Sequence, residues 1–279
     1  MNEYKKILLL GSEGQIGSYL THYLDSKNYQ VIQFDVSRNE EEDLRCYPNT
    51  RLEEAMKECD FVFFLAFDVG GSLYMKKYQD TYQFIDNNIK ILNTVFSSLN
   101  RYQKPFIYLS SQMANMMHST YGILKLIGDR YTRSLGGIIV KLWNVYGVES
   151  DLEKSHVITD FILMAKNEGV IRMKTDGMEE RQFLHAEDCS RALEIIMSNY
   201  AELDKTKAID LTSFEWVSIF DIANSVSQYF DNCAIQKSSE SDSIQLNAKN
   251  EPDDRILQYW KPKFTIETGI KNIIENMIY

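Results

Sequence analysis

A tyrosine and a lysine four residues apart are the strongest candidates for chemistry in this chain. Tyr121 and Lys125 lie in a predicted helix over about Thr120–Ser134, so the spacing places the phenol and the ammonium on one face. Ser110 ends the preceding predicted strand and adds a hydroxyl for the same substrate oxygen. Beside a nicotinamide, the ammonium would lower the pKa of the tyrosine, which would then exchange a proton with a sugar hydroxyl during hydride transfer. A surface Tyr–Lys pair is the alternative, and the order of strand, serine and helix disfavours it.

A glycine-rich turn follows the first apolar run of the chain. Glycine suits a sharp turn, a close approach of backbone to a pyrophosphate and tight packing of a helix on a strand. The start of the helix beyond the turn presents free N–H groups to phosphates. A tight turn that binds no ligand is the alternative interpretation. The predicted contacts are Gly11, Gly14, Gln15, Ile16 and Gly17.

Asp35 ends the second predicted strand, 18 residues after Gly17. A carboxylate there can accept hydrogen bonds from both ribose hydroxyls of an adenosine, and it would repel a 2′-phosphate. The sequence therefore predicts NAD rather than NADP as the cofactor, and the nearby Arg38 would weaken that preference. A loop-capping aspartate is the alternative role.

Short apolar strands alternate with helical patterns through the first half of the chain, which predicts an α/β fold with a doubly wound parallel sheet of the Rossmann type. The predicted strands are 7–10, 31–34, 61–65, 106–109 and 138–142, and the predicted helices are 14–27, 52–57, 73–99 and 120–134.

The pattern changes after about residue 146. Helices near 156–168, 186–199, 218–230 and 265–277, with short apolar pieces such as 208–211, predict a smaller mixed α/β lobe. We divide the chain into an NAD-binding domain, 1–146, and a substrate-binding lobe, 147–279, some of whose elements return to the main domain. The polar stretch 237–250 is predicted to be a mobile surface loop.

Composition excludes several classes of protein. The chain has 279 residues, 44 % of them apolar and 25 % charged, which predicts a soluble globule with a sizeable core. A formal charge of −10 is opposite to that of a general nucleic-acid or anionic-membrane binder. The four scattered cysteines form no CxxC pair, so neither a disulfide frame nor a metal site is expected. No apolar stretch approaches membrane-spanning length, and we expect a cytoplasmic protein.

Together these residues resemble the extended short-chain dehydrogenase/reductase family, the NAD-dependent epimerases and dehydratases of nucleotide sugars. The resemblance covers nearly the whole chain. It implies that Asp43 and Leu44 border the adenine, that Leu65 and Ala66 line the cofactor, and that Asn144 and Arg181 face the substrate's diphosphate or sugar. It also implies a homodimer formed through the long helices. The matching stretches are Gly11–Gly17, Asp35, Asp43–Arg45, Asp60–Ala66, Asn88, Ser110, Tyr121 with Lys125, Asn144–Gly147, Arg181–Asp188 and Trp260.

Local details resemble GDP-fucose synthases and GDP-mannose 3,5-epimerases: Leu65–Gly71 and the Ser-His-Val-Ile motif at 155–158. In GDP-fucose synthases, such a histidine and a cysteine two residues after the catalytic serine are acid/base groups. Here His156 is present, as a substrate ligand or acid/base or as a mere helix-start residue, but Gln112 takes the cysteine position. Because glutamine does not titrate, two-group C3/C5 epimerisation is disfavoured. The Asp-Glu pair of 4,6-dehydratases is replaced by Ser111 and Gln112, which disfavours dehydration.

The leading hypothesis is an NAD-dependent nucleotide-sugar epimerase that oxidises the sugar transiently at C4, with tyrosine as acid/base. A 4-keto-sugar reductase is the alternative enzyme, and a catalytically idle NAD-binding protein is the alternative from another class. The segment from Ser110 to Tyr121 is short for this family and contains three methionines between 113 and 119. Such a short segment predicts a more open site, a site completed by a partner chain, or an inactive one.

Overall fold

The computed structural model describes residues 4–149, 151–240 and 251–277. The strands are β1 (Lys6–Leu10), β2 (Gln30–Phe34), β3 (Phe61–Phe64), β4 (Phe106–Ser111), β5 (Ile138–Leu142), β6 (Asn144–Tyr146), β7 (Val170–Arg172), β8 (Glu180–Arg181), β9 (Phe183–His185), β10 (Ile209–Leu211), β11 (Val217–Ser218) and β12 (Ala234–Gln236). The α-helices are α1 (Gln15–Ser26), α2 (Thr50–Glu58), α3 (Ser72–Tyr78), α4 (Tyr82–Tyr102), α5 (Thr120–Ser134), α6 (Val157–Glu168), α7 (Ala186–Ser198), α8 (Ile219–Ser227) and α9 (Ile266–Asn276).

Six parallel strands form the central sheet in the order β10-β5-β4-β3-β1-β2. The order of the strands reverses at β1, which pairs with β2 on one side and β3 on the other. In open α/β sheets, ligands bind outside the carboxyl ends of the strands at such a reversal. The doubly wound sheet predicted from the sequence is confirmed.

Alternate side chains of β1 enter two different cores, one on each face of the sheet. Ile7 and Leu9 pack with α1 and α7, whereas Leu8 and Leu10 pack with α2 and α4. All four side chains are fully buried. A strand covered on both faces needs apolar residues at every position, which explains the unbroken apolar run in the sequence.

The predicted helix over 73–99 is wrong as a single element, because the chain forms α3 and α4 with a break at 79–81. The hydroxyl of Thr81 accepts a hydrogen bond from the backbone N of Phe84 at 3.3 Å and so caps α4. The same hydroxyl donates to the carbonyl of Tyr78, the last residue of α3, at 2.8 Å. Apolar periodicity continues across the break, so periodicity alone did not reveal it.

The second half of the chain forms small two-stranded sheets and the helices α6 to α9, and these four predicted helices are confirmed with slightly shorter ends. Helices α6, α8 and α9 share a core that includes Phe161, Ile222 and Ile270. Strand β10 instead joins the central sheet beside β5, and α7 packs on α1. The division at residue 146 therefore stays a proposal in which β10 and α7 return to the main domain.

Ten residues of the predicted surface loop, 241–250, lie outside the described residues. Among the described residues, no helix combines the length and apolar character that crossing a membrane requires.

Candidate active site

A cavity of about 800 Å³ lies at the carboxyl ends of the central strands. Its lining comes from the residues that follow β1 and β3, from the ends of β2, β4 and β5, and from the start of α5. The structure thus brings every predicted cofactor contact and the predicted catalytic residues to one place. These are Gly11, Gly14, Gln15, Ile16, Gly17, Asp35, Asp43, Leu44, Leu65, Ala66, Ser110, Tyr121 and Lys125.

The glycine turn between β1 and α1 leaves no room for side chains. Gly11 has a φ of +89°, and a Cβ at Gly17 would lie 2.0 Å from the Gly11 carbonyl oxygen. Helix α1 begins at Gln15, and Gly14 at its N-cap position has no side chain to cap the first turn. The N–H groups of that turn are therefore available to an anion, and the helix dipole favours one there.

Asp35 lies at the end of β2 and lines the cavity close to the glycine turn. Its carboxylate accepts hydrogen bonds from the Ser37 hydroxyl at 2.7 Å and from the Glu13 backbone N at 3.2 Å. Arg38 is directed elsewhere, since its guanidinium donates to Glu13 at 3.0 Å and to Gln33 at 2.8 Å. The cavity wall at this end therefore carries the carboxylate and not the guanidinium.

Asp43 and Leu44 lie beyond Asp35 along the same wall. The Asp43 carboxylate binds the Arg45 guanidinium at 2.8 to 3.1 Å, and this hydrogen-bonded pair holds the pKa of Asp43 below its usual range. Arg45 is thus neutralised locally. Leu65 and Ala66 follow β3 and line the cavity next to the glycine turn, where the backbone N of each donates to the Leu10 carbonyl at 2.9 Å.

Ser110 and Ser111 both line the cavity, and Ser111 is the one that acts on the Tyr121 hydroxyl, so we propose Ser111 in place of the predicted Ser110 as the serine beside the tyrosine. Ser111 lies near the Tyr121 hydroxyl and acts to lower its pKa, and the backbone N of Met113 donates to the Ser111 hydroxyl at 3.1 Å. Strand β4 extends through both serines, so the two side chains point to opposite faces of the sheet. Ser110 points toward α5 and lies next to the buried Asp129 carboxyl.

If the catalytic serine is Ser111, the positions that are counted from that serine also shift by one residue. The residue two positions after Ser111 is Met113, and the pair that follows Ser111 is Gln112 and Met113. None of these side chains titrates, so the arguments against two-group C3/C5 epimerisation and against dehydration are unchanged.

In this structure burial, and not Lys125, determines the direction of the Tyr121 pKa shift. Burial raises the pKa of Tyr121 to about 12, and the hydrogen bond with Ser111 only opposes that rise. Lys125 is itself 4 % exposed, and burial lowers its pKa to about 7, with Asp129 opposing the shift. Its Nζ donates to the Leu109 carbonyl at 2.8 Å and lies 5.8 Å from the centre of the tyrosine ring. At neutral pH the phenol therefore keeps its proton.

Three predicted substrate contacts do not line this cavity. Gln112 is buried below it, Asn144 donates to the Gln182 carbonyl at 3.1 Å where β6 meets β9, and Arg181 donates to the Glu180 carbonyl at 2.7 Å. The fourth, His156, does line the cavity and binds the carboxylate of Glu149.

The two motifs that carry the local resemblance pack against each other at the cavity wall. A Cβ at Gly71 would lie 1.9 Å from the carbonyl oxygen of Ser155, and the backbone N of Gly71 donates to the Lys154 carbonyl at 2.9 Å. The Lys154 ammonium lies 3.5 Å from the carboxylate of Asp68. These contacts join the 65–71 segment of the main domain to the 152–158 segment of the second lobe.

Sequence reasoning missed several residues of the cavity wall, including Asp68, Asn87, Trp143, Glu149 and Lys154. Trp143 directly precedes Asn144, and its indole N–H donates to Asp210 of β10 at 3.2 Å. Its position immediately after β5 was the available signal, because residues at the carboxyl ends of parallel strands face the ligand crevice.

Comparisons with known proteins show the family of the chain. The model of the NAD dependent epimerase/dehydratase family matches residues 7–211. The chain is 25 % identical to a GDP-L-fucose synthase of Sinorhizobium fredii, over 98 % of this chain and 96 % of that protein. The epimerase Mth375 of Methanothermobacter thermautotrophicus has a TM-score of 0.83 at 19 % identity, over 98 % of this chain and 92 % of that chain. A GDP-6-OMe-4-keto-L-xylo-heptose reductase of C. jejuni has a TM-score of 0.80 at 18 % identity, over 99 % and 98 %.

The residues of the cavity fit NAD, the cofactor of that family. The side-chain-free turn at Gly11 and Gly17 admits a pyrophosphate to the uncapped start of α1, and Asp35 stands where an adenosine ribose would lie. The family match covers well over half of the chain, and the resemblance inferred from the sequence is confirmed. The chain belongs to the NAD-dependent epimerase/dehydratase family, whose members act on nucleotide sugars.

Proposed function

We propose that this protein is a nucleotide-sugar 4-epimerase in which Tyr121 is the acid/base. The observation that carries the proposal is the meeting of Ser111, Tyr121 and Lys125 with the glycine turn in one cavity. NAD, when bound, supplies a hydride acceptor and donor beside the sugar carbon. Every proton in the reaction must then be handled by side chains of the chain itself.

Tyr121 and Ser111 handle the proton of the C4 oxygen. Both hydroxyls belong to residues that line the cavity, and Ser111 acts on the pKa of Tyr121, so a sugar oxygen bound between them would meet both. Ser111 orients that oxygen, and Tyr121 takes its proton during oxidation and returns one during reduction. The Lys125 Nζ lies 5.8 Å from the centre of the ring, and in its protonated form it would favour the phenolate that forms when Tyr121 gives up its proton.

A 4-keto-sugar reductase is the second candidate. In the structure Tyr121 holds its proton, because burial raises its pKa to about 12. A protonated phenol is ready to donate to a keto oxygen, which is the only proton transfer a reductase needs. The relatives named GDP-L-fucose synthase and heptose reductase support the same alternative.

Replacement of Tyr121 by Phe tests the shared mechanism. The substitution removes one oxygen and leaves the ring against Phe67, so we expect folding and NAD affinity close to wild type. Turnover on UDP-, dTDP- or GDP-sugars should fall by about 100- to 10,000-fold. Near-normal turnover of Tyr121→Phe on the substrate that wild type converts would refute Tyr121 as the acid/base.

We further propose that the protein is a homodimer through α4 and α5. The exposed side chains of Tyr82, Ile85 and Ile89 follow helical spacing on α4, and Ile123 is exposed on α5. Light scattering should give twice the mass of one chain for wild type and a lower mass for Ile89→Glu. An unchanged mass would place the interface elsewhere.

A further inference from the structure

A buried carboxylate and a half-exposed imidazole meet at the end of the cavity formed by the second lobe. The Glu149 Oε1 lies 2.5 Å from Nδ1 of His156, and Oε2 accepts the backbone N–H of the same residue at 3.0 Å. The Glu149 side chain is 6 % exposed, whereas that of His156 is 43 % exposed. Both residues line the cavity, with the carboxylate buried and the ring partly exposed.

Glu149 acts here as a hydrogen-bond acceptor. Burial raises its pKa, but hydrogen bonds from His156 and from the Thr159 hydroxyl outweigh that effect, so the pKa is below its usual range. An ionised carboxylate carries no proton to donate, so Nδ1 must be the donor. Nε2 is then the nitrogen left for a ligand in the cavity.

Other charged groups near His156 have different partners. Lys154 lies against Asp68 at 3.5 Å, and Asp160 on α6 accepts the Ser155 hydroxyl at 2.5 Å with Lys174 at 3.9 Å. Asp151 also lines the cavity and accepts the backbone N–H of Glu153 at 3.1 Å. Glu149 is thus the carboxylate in direct contact with the imidazole.

We propose that Glu149 is a positioning residue for His156. It fixes the ring with Nδ1 turned away from the cavity and Nε2 presented to the substrate, as a hydrogen-bonding and proton-exchanging nitrogen. The inference rests on the proposed function, since that function requires a sugar in the cavity that His156 lines. The competing role for Glu149 is purely structural, as an acceptor for the first backbone N–H at the start of α6.

Nitrogen NMR of the histidine rings tests the proposal without any substrate. The chain has four histidines, so His156→Gln identifies the His156 signals by their loss. In wild type, these signals should show Nδ1 protonated at neutral pH. Glu149→Gln keeps an oxygen for the backbone N–H but removes the charge, and we expect the His156 signals to move toward a mixture of tautomers. Glu153→Gln, an exposed change in the same segment, is the control and should leave them unchanged.

Kinetics on the full-length protein provide the second measurement. Glu149→Gln should lower kcat by about 10- to 100-fold with a smaller change in KM, and Glu149→Ala should lower it further. Loss of thermal stability in Glu149→Gln with wild-type His156 signals and wild-type kcat would overturn the proposal and assign Glu149 to helix capping.

The two measurements separate this inference from the proposed function. A wild-type protein that turns over no nucleotide sugar would refute the proposed function, and the NMR signals alone would then decide the role of Glu149. Wild-type turnover on a nucleotide sugar, with Glu149→Gln matching Glu153→Gln in both measurements, would refute only the positioning role.

Discussion

At the scale of single residues, burial sets the chemistry of the site. It moves the pKa of Tyr121 upward and that of Lys125 downward, so both groups favour their neutral forms more than in water. The opposing interactions are a hydrogen bond from Ser111 and the charge of Asp129. The effect of Ser111 on the pKa of Tyr121, and that of Asp129 on the pKa of Lys125, can therefore each be measured with a single substitution.

The two serines of β4 allow a matched comparison. Ser111→Ala removes the hydroxyl beside Tyr121, and we expect a loss of about 1–3 kcal/mol of transition-state stabilisation, about 5- to 150-fold in kcat. Ser110→Ala removes a neighbour of the buried Asp129 instead, so its main effect should be a lower free energy of unfolding, by about 1 kcal/mol. Steady-state kinetics and urea unfolding of both variants check this. A larger loss of kcat in Ser110→Ala would return the catalytic role to Ser110.

Lys125 should make the stability of the fold depend on pH. Its pKa is about 7 in the folded chain and about 10.4 in an unfolded one. Between these values the unfolded state binds more protons, so stability rises with pH, and below about pH 7 the dependence ends. The unfolding free energy of wild type minus that of Lys125→Met should increase by about 1 kcal/mol per pH unit between pH 8 and 9.5.

The exposed Lys57 provides the control for this measurement. The difference in unfolding free energy between wild type and Lys57→Met should not change with pH over the same range. If the difference in unfolding free energy between wild type and Lys125→Met is also independent of pH, the buried lysine keeps an ordinary pKa.

The Ser110 assignment shows how far residue types and spacing predict this site. The sequence predicted a serine, Tyr121 and Lys125 together, because helical spacing and chain order determine their meeting. It did not predict which of two adjacent serines faces the tyrosine, since that depends on where β4 ends. Counting alternate positions from Tyr108, which is buried toward α5, assigns Ser110 to the same side and Ser111 to the other.

At the scale of elements, the ends of β1 and β2 determine which cofactor the cavity accepts. The glycine turn admits a pyrophosphate in either NAD or NADP, so it does not discriminate between them. We propose that Asp35 discriminates between them, because it lines the cavity while Arg38 is held by Glu13 and Gln33. This arrangement strengthens the preference for NAD that the sequence suggested.

Calorimetry should show that NAD binds more tightly than NADP, by about 1–3 kcal/mol, the scale of a mismatched charged hydrogen bond. Asp35→Asn should reduce the difference in binding free energy between NAD and NADP, because the amide does not repel a 2′-phosphate. Arg38→Ala, a change outside the cavity wall, should leave the difference in binding free energy between NAD and NADP nearly unchanged. Tighter binding of NADP to wild type would show that Arg38 turns toward the ligand.

The break between α3 and α4 and the short segment 113–119 are connected features. The Ser119 hydroxyl donates to Gln79 at 3.3 Å, and the Thr120 hydroxyl donates to Asp80. These hydrogen bonds connect the end of the segment to the residues between α3 and α4. The sequence indicated the unusual length of this segment but not its anchor. That anchor depends on a helix break at 79–81 which apolar periodicity does not reveal.

At the scale of the whole molecule, the cavity spans two lobes that meet through backbone contacts. Gly71 of the first lobe packs on Ser155 of the second, and Lys154 reaches Asp68. The sequence predicted the central sheet and many of the residues that line the cavity, because strand ends of a doubly wound sheet converge by topology. It predicted the substrate end poorly, since Asn144 and Arg181 lie in the small sheets of the second lobe, away from the cavity.

The source of the hydride separates the two candidate enzymes. An epimerase returns the hydride it removes, so purified protein that carries NAD should interconvert C4 epimers of a nucleotide sugar without added NADH. A preference for NAD through Asp35 suits a cofactor that is recycled within one catalytic cycle. The side chains at 112 and 113 do not titrate, and their absence as acid/base groups removes any need for a C3/C5 step before reduction.

Three outcomes of that experiment lead to different conclusions. Epimerisation without added reductant, with solvent deuterium absent from C4, supports the epimerase, because the hydride never exchanges with water. Stoichiometric consumption of NADH or NADPH with a 4-keto sugar, and no epimerisation in its absence, assigns the protein to the reductases. If neither reaction occurs while NAD is bound, the chain is an idle binder, and the short 113–119 segment becomes the first place to look for the cause. Replacing it with a longer segment from an active relative should then restore turnover only if Ser111, Tyr121 and Lys125 are intact.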